Sequence, residues 1–150
     1  MRVSFLGRGS GAAASRLADM LQESDLRCPV VITAASPVRK TDVLVVVSPV
    51  STKRKINCGL LIGSENIDIT NIDCERKLSC GMSCENDVTM SSVGETECFA
   101  ALRREVKTMS GRIIDRSEMR IKRCKRLSPE ALLAVVGCAL MLDTPPEKMV

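Results

Sequence analysis

Short apolar runs punctuate the first half of the chain: "RVSFL" (2–6), "PVVIT" (29–33), "DVLVVV" (42–47) and "CGLLIG" (58–63). Near-continuous β-branched runs of this kind predict strands buried on both faces, as in a parallel sheet covered by helices. After the first run comes a glycine loop and then a helical pattern from about Ala12 to Gln22. There Ala13, Leu17, Met20 and Leu21 share one face. "AASP" ends the second strand, "SPVS" the third, and Gly63 and Asn66 mark a turn after the fourth. The third-to-fourth connection, "SPVSTKRKIN", leaves no room for a crossover helix. Either one helical turn bridges these strands or they are not sequential parallel neighbours.

From Asp68 to Val93 the pattern turns polar, with extended segments expected at "KLSCG" and "DVTMSSV". "ECFAALRREVKTM" supports two readings. Phe99, Leu102, Val106 and Met109 fall at helical spacing, and propensity slightly favours a helix. The same stretch with "SGR" and "IID…MRIKR" also reads as two strands around a turn at Gly111. The final element is the clearest. Ser128 is an N-cap, Pro129 occupies the first helical position, Glu130 complements the dipole, and the helix runs to about Leu142. It is apolar nearly all round, so it must be buried.

Composition sharpens this picture. The 150 residues make one domain with a real core, and the 45% hydrophobic content is that of a folded protein. Two Phe, no Tyr and no Trp leave the core to aliphatic residues, Met and Cys. The chain has no histidine, which removes His general bases, His metal ligands and Ser-His or Cys-His pairs. The N-terminus lacks a signal-peptide pattern, and the longest apolar run, residues 131–142, is shorter than the about 20 residues of a membrane span. With eight cysteines and no secretory signal, a cytoplasmic protein with reduced thiols and no membrane partner is expected. The net charge of +4 is modest, and its basic residues gather in "KRK" (53–55) and between Arg112 and Arg126. No aromatics alternate with them, so a solvated strand or turn is expected there and a nucleic-acid partner is not.

The candidate chemistry lies in "GRGSGAA". Gly7-x-Gly9-x-x-Ala12 after a strand and opening a helix fits a dinucleotide fingerprint of the Rossmann type. The acidic ribose ligand is missing, and Ser36, Arg39 and Lys40 would serve the 2′-phosphate of NADP instead. A phosphate loop is the second reading: Gly7, Arg8, Gly9, Ser10, Gly11 and Ala12 would hold a phosphate or nucleotide on backbone N–H groups, with Arg39 and Lys40 assisting. The lysine and hydroxyl of an ATP-hydrolysing loop are replaced by Ala12 and Ala13, so phosphoryl transfer loses its main electrostatic stabilisation. The third reading is structural: small residues let a helix lie close on a sheet.

As a whole, the chain resembles the central, ATP-binding domain of the Mur ligase family, the bacterial ATP-dependent ligases of peptidoglycan precursor synthesis. "FLGRGSGAAASRLADMLQ" stands where the family has its strand, GTNGKT-type loop and helix. "DVLVVVSP" and "CGLLIGSENID" are similar to strands leading to its Asn-x-Asp-Asp turn, and "KLSCGMSCENDVTMSS" to a strand ending in Tyr/Phe-Gly. "RIKRCKRLSPEALLAVVGCALMLDTPPEKM" is similar to the family's Gly-x-His-Asn helix and its Pro-Glu ending. The resemblance implies a β-hairpin-like segment over 98–125, against the helical propensity, and the strands are preferred. The departures are at the working residues. The loop lysine and threonine fall at Ala12 and Ala13, the His-Asn pair near Arg126 and Leu127, and a second helix Asn near Glu130. The family's flanking domains have no counterpart in these 150 residues. The resemblance thus implies a truncated, non-catalytic relative that binds a protein partner, a second copy of itself, or a nucleotide.

The cysteines offer another class of function. Cys74, Cys80, Cys84 and Cys98 follow one another closely, but only Cys80 and Cys84 have zinc-like spacing. A metal site, a redox pair at Cys80 and Cys84 around Gly81, and small core residues are the three readings. The sequence predicts one α/β domain with a mainly parallel sheet, flanking helices and a hairpin-like second half. No catalytic residues and no metal ligands are assigned.

Overall fold

Val43, Val45 and Val47 face one way along the third strand and Leu44 and Val46 the other, and all five are buried. Both faces of that strand are therefore covered, and the sheet around it is parallel. A computed structural model describes residues 1–34, 38–64 and 66–149. The elements run β1 (Arg2–Leu6), α1 (Ser10–Leu21), β2 (Val31–Thr33), β3 (Lys40–Val46), β4 (Ile56–Gly63) and β5 (Ile72–Ser79). They continue with β6 (Val88–Val93), β7 (Glu97–Leu102), β8 (Val106–Lys107), β9 (Ile113–Ile114), β10 (Ser117–Lys122), α2 (Pro129–Met141) and a 3-10 turn (Pro146–Lys148). The first five strands form one parallel sheet in the order β2-β1-β3-β4-β5.

The two faces of that sheet are covered differently. Val3, Phe5, Val43, Val45, Leu60 and Ile62 join the two helices in the main core. The opposite face, with Leu6, Leu44, Val46, Ile56 and Leu61, is covered by Val38, Val50 and Ile67. These come one each from the connections preceding β3, β4 and β5. The chain travels one way through α1 on the first face and returns in the other direction across the second. That keeps the crossovers of one hand.

Two sequence expectations are corrected at β3–β4. The strands are sequential parallel neighbours, pairing Lys40 with Asn57 through Val45 with Ile62, and no helical turn occurs between them. The connection must retrace about 20 Å of strand, and its extended residues reach about 30 Å. A strap suffices.

The second half is antiparallel. β7 pairs β10 from Glu97–Lys122 to Leu102–Ser117, β6 lies on the other side of β7, and β8 and β9 form a small ribbon at the hairpin's end. The helical reading of 98–110 is overturned, and the hairpin implied by the family resemblance is present. Cys98, Ala100 and Leu102 on β7 and Met119 and Ile121 on β10 are buried alternately, a period of two. Between them on β10, Glu118, Arg120 and Lys122 are exposed, as expected of a solvated basic strand. β5 is longer than "KLSCG". It is an edge strand whose Glu75 and Arg76 face water, which hides it from a hydrophobicity pattern.

α2 fills the space between the two sheets and alongside α1. Every residue from Ala131 to Met141 is buried, so its all-round apolar character has partners on every side. Ser128 Oγ accepts from Ala131 N at 3.1 Å, which makes the expected N-cap. No helix among the described residues is long and apolar enough to cross a membrane.

Candidate functional site

The glycine loop leaves the carboxyl end of β1, which lies between β2 and β3. From β1 the chain turns towards β2, and β3 lies on the other side, so the loop stands at a topological switch point. Parallel α/β sheets commonly bind their ligands at such points. Gly7 and Gly9 take positive φ values of 102° and 86°. Both conformations favour glycine.

The loop is pinned on one side and open on the other. A Cβ on Gly7 would collide with the Ser48 hydroxyl and would lie 3.0 Å from Ser48 N. Ser48 Oγ in turn accepts from Arg8 N at 2.7 Å, and Val47 N donates to Leu6 O at 3.0 Å. Ser10 Oγ donates to Gly7 O at 2.6 Å, which closes the turn. At Gly9 and Gly11, by contrast, a Cβ would meet nothing within 4 Å. Gly9 is the N-cap of α1 and contributes no side-chain cap. The first intrahelical bond is Ala13 N to Gly9 O at 2.9 Å, so the N–H groups of Ser10, Gly11 and Ala12 precede it. No acidic residue stands in that first turn, and Arg8 is exposed beside it. The geometry accommodates an anion at a helix N-terminus.

Gly7, Arg8, Gly9, Ser10, Gly11 and Ala12 are thus brought together, but Arg39 and Lys40 are not. Val3 pairs with Val43, which sets Lys40 about seven residues, or roughly 23 Å, from the level of Gly7. Both basic residues stand at the amino end of β3, where Arg39 O accepts from Asn57 N. They stand at the start of β3, so they do not reach the loop as the expected phosphate ligands. Ser36 lies outside the described residues. At the two positions where a working phosphate loop carries lysine and a hydroxyl, Ala12 is half-buried and Ala13 is packed in the core.

The cysteines do not converge. Cys80 and Cys98 are buried, Cys84 is exposed and Cys74 is half-buried. Among the described residues no three His, Cys, Asp or Glu side chains gather to hold a metal ion. Burial pushes the Cys80 thiol well above the ordinary range, with the Asp87 and Cys138 charges adding to it. Its sulfur lies against the backbone of Gly137 on α2, so Cys80 serves as a packing residue. Two pairs of cysteines do come near each other: Cys80 and Cys138 in the main core, and Cys58 and Cys74, register partners on β4 and β5. Burial, then the charges of Cys74 and Asp73, push the Cys58 thiol up to about 12. Chain spacing could not reveal either pair, because the fold aligns residues far apart in sequence.

No family model matches the chain, and neither a curated protein nor a solved structure matches it.

Proposed function

We propose that the chain is a non-catalytic α/β domain that holds the phosphate of a nucleotide or other phosphate-bearing ligand weakly on its glycine loop. The observation that carries this reading is the placement of residues 7–12. The loop stands at the switch point of the sheet, open at Gly9 and Gly11 and without an acidic residue in the first turn of α1. Binding by a helix end and a few N–H groups alone is weak, since an exposed helix end contributes only on the order of 1 kcal/mol. The absence of catalysis follows from Ala12 and Ala13, since nothing at either position reaches a terminal phosphate or a magnesium ion. The kinship with the Mur ligases rests on the sequence stretches quoted above and is part of the same proposal. On it, the domain acts through its ligand or a protein partner and performs no ligation.

The NADP reading is not favoured by the placement of its residues, because Arg39 and Lys40 stand at the far end of β3. The deciding experiment is equilibrium dialysis of the whole chain with labelled ADP and ATP, alongside Gly9→Val, together with a phosphate-release assay. The reading expects weak binding, its loss in Gly9→Val, and no release above buffer. Binding retained by Gly9→Val, or ATP turnover that Gly9→Val abolishes, overturns it.

A further inference from the structure

At the far end of α1 from the glycine loop, the last turn of α2 closes in a Schellman motif. Thr144 N donates to Ala139 O at 2.9 Å and Asp143 N to Leu140 O at 3.1 Å. The residue between helix and exit must take the left-handed conformation, which such turns usually give to glycine. Here it is Asp143, at φ 61°. Asp143 O is held by Asp25 N at 3.0 Å, and Met141 O by Met109 N at 2.9 Å, so the turn is fixed from two sides.

The side chain at this strained position is also buried. Asp143 is 4% exposed and Thr144 1% exposed. Among the described residues, Asp143 Oδ1 and Thr144 Oγ1 have no hydrogen-bond partner. Unpaired buried oxygens are costly, and a carboxylate more so than a hydroxyl. Both residues line a cavity of about 200 Å³ between the end of α2 and the β9 ribbon. Oδ1 and Oγ1 are themselves closed to water, so a donor in the cavity meets the Asp143 carboxylate through its other oxygen.

The rest of the wall suggests what the cavity would take. Asp115 and Glu147 add two further carboxylates, while Ile114 and Pro145 supply apolar surface. The one cation there, Arg112, directs Nη1 outward to Asp25 Oδ2 at 3.2 Å. No basic residue stands in the last turn of α2, so the negative end of that helix adds to the field. The carboxylates do not gather closely enough for a metal ion among the described residues. A ligand with several N–H donors and a short hydrocarbon stem satisfies both kinds of wall. The volume, roughly six or seven waters' worth, is below that of sites for drug-sized molecules.

We propose that this cavity binds a small primary ammonium group, with Asp143 as the anchoring carboxylate and Thr144 as its neighbour. The ammonium belongs either to a free alkylamine or to a lysine side chain. The test is an amide-resolved NMR titration of the whole chain with n-butylammonium chloride and with Nα-acetyl-lysine methylamide. Tetramethylammonium, which has no N–H donor, is the control. Saturable shifts are expected at residues 112–115 and 143–144 with one or both primary amines and not with tetramethylammonium. A response to butylammonium alone points to a free amine, and an equal response to the lysine derivative to a peptide. Asp143→Asn and Asp143→Gly tolerate the left-handed turn, so both should melt at or above the wild-type temperature while binding at least about tenfold more weakly. Absence of shifts with both primary amines, or an affinity unchanged in Asp143→Gly, overturns the proposal.

Discussion

Replacing Gly137 by alanine probes how closely α2 lies on the parallel sheet. A Cβ at Gly137 would stand 2.5 Å from Cys80 Sγ, 3.2 Å from Leu78 Cδ2 and 3.6 Å from Ile62 Cγ2. Cys80 is 2% exposed, so its sulfur has no free space to retreat into. Alanine is favoured over glycine inside a helix by about 1 kcal/mol. Forcing an extra methyl into a filled core costs about 1–3 kcal/mol. Gly137→Ala should therefore lower stability by between about zero and 2 kcal/mol, against the gain that propensity alone would give. Cys80→Ala removes a buried sulfur and should cost about 1–2 kcal/mol by itself. In that background the new methyl is tight only against the Leu78 methyl, which gives by a few tenths of an ångström, and makes an ordinary contact with Ile62. Gly137→Ala should then stabilise by about 1 kcal/mol. The coupling between the two changes is then about 1–3 kcal/mol. Urea denaturation followed by far-UV circular dichroism is the assay, since a chain without Trp or Tyr offers no useful fluorescence. If Gly137→Ala has the same effect in both backgrounds, within about 0.5 kcal/mol, the close contact is wrong.

Other outcomes follow from the same geometry. Gly7→Ala, at φ 102° and against Ser48, should lower stability by about 2 kcal/mol or more in the same urea assay. Asp87 receives Arg104 Nε at 2.5 Å, Arg104 Nη2 at 3.1 Å and Ser79 N at 2.9 Å. Burial pushes this carboxyl up, but the Arg104 hydrogen bond, the Ser79 N–H and the Arg104 charge together hold it below its ordinary value. Its contribution is present above the usual carboxylate range, about pH 4, and is lost as pH falls through the lower folded value. The stability gap between wild type and Asp87→Asn should therefore narrow between neutral pH and pH 3, as urea midpoints would register. Of the eight thiols, Cys28 and Cys84 are exposed and should react first with an aromatic disulfide reagent. Cys58, Cys80, Cys98 and Cys138 should react only on unfolding, and peptide mass mapping separates the two sets.

β3, β4 and the last helix were legible because burial on both sides leaves unbroken apolar runs. "PVVIT", expected as a buried strand, gives only the short edge strand β2, with Val31 56% exposed. "DVLVVV" and "CGLLIG" lie almost wholly within or beside β3 and β4, and Ser128-Pro129-Glu130 marked the start of α2. The strand order was not legible, since nothing local states that β3 returns past β1. That gap is why Arg39 and Lys40 were assigned to the glycine loop: a strand's start and its neighbour's end look alike in sequence. Over 97–102 the period of two was present in Cys98, Ala100 and Leu102. Phe99, apolar but on the other face, blurred it into a helical spacing. The carboxylate of Asp143 gave no sequence signal, because a residue in a glycine position at a helix end is recognised only by its backbone angle.

The central claim, a phosphate held by the glycine loop, is tested most directly by following the backbone amides while inorganic phosphate is added. The account predicts shifts confined to residues 7–13, weak and rising with phosphate concentration, and absent in Gly9→Val. Shifts elsewhere with residues 7–13 silent, or no shifts at all, would contradict it.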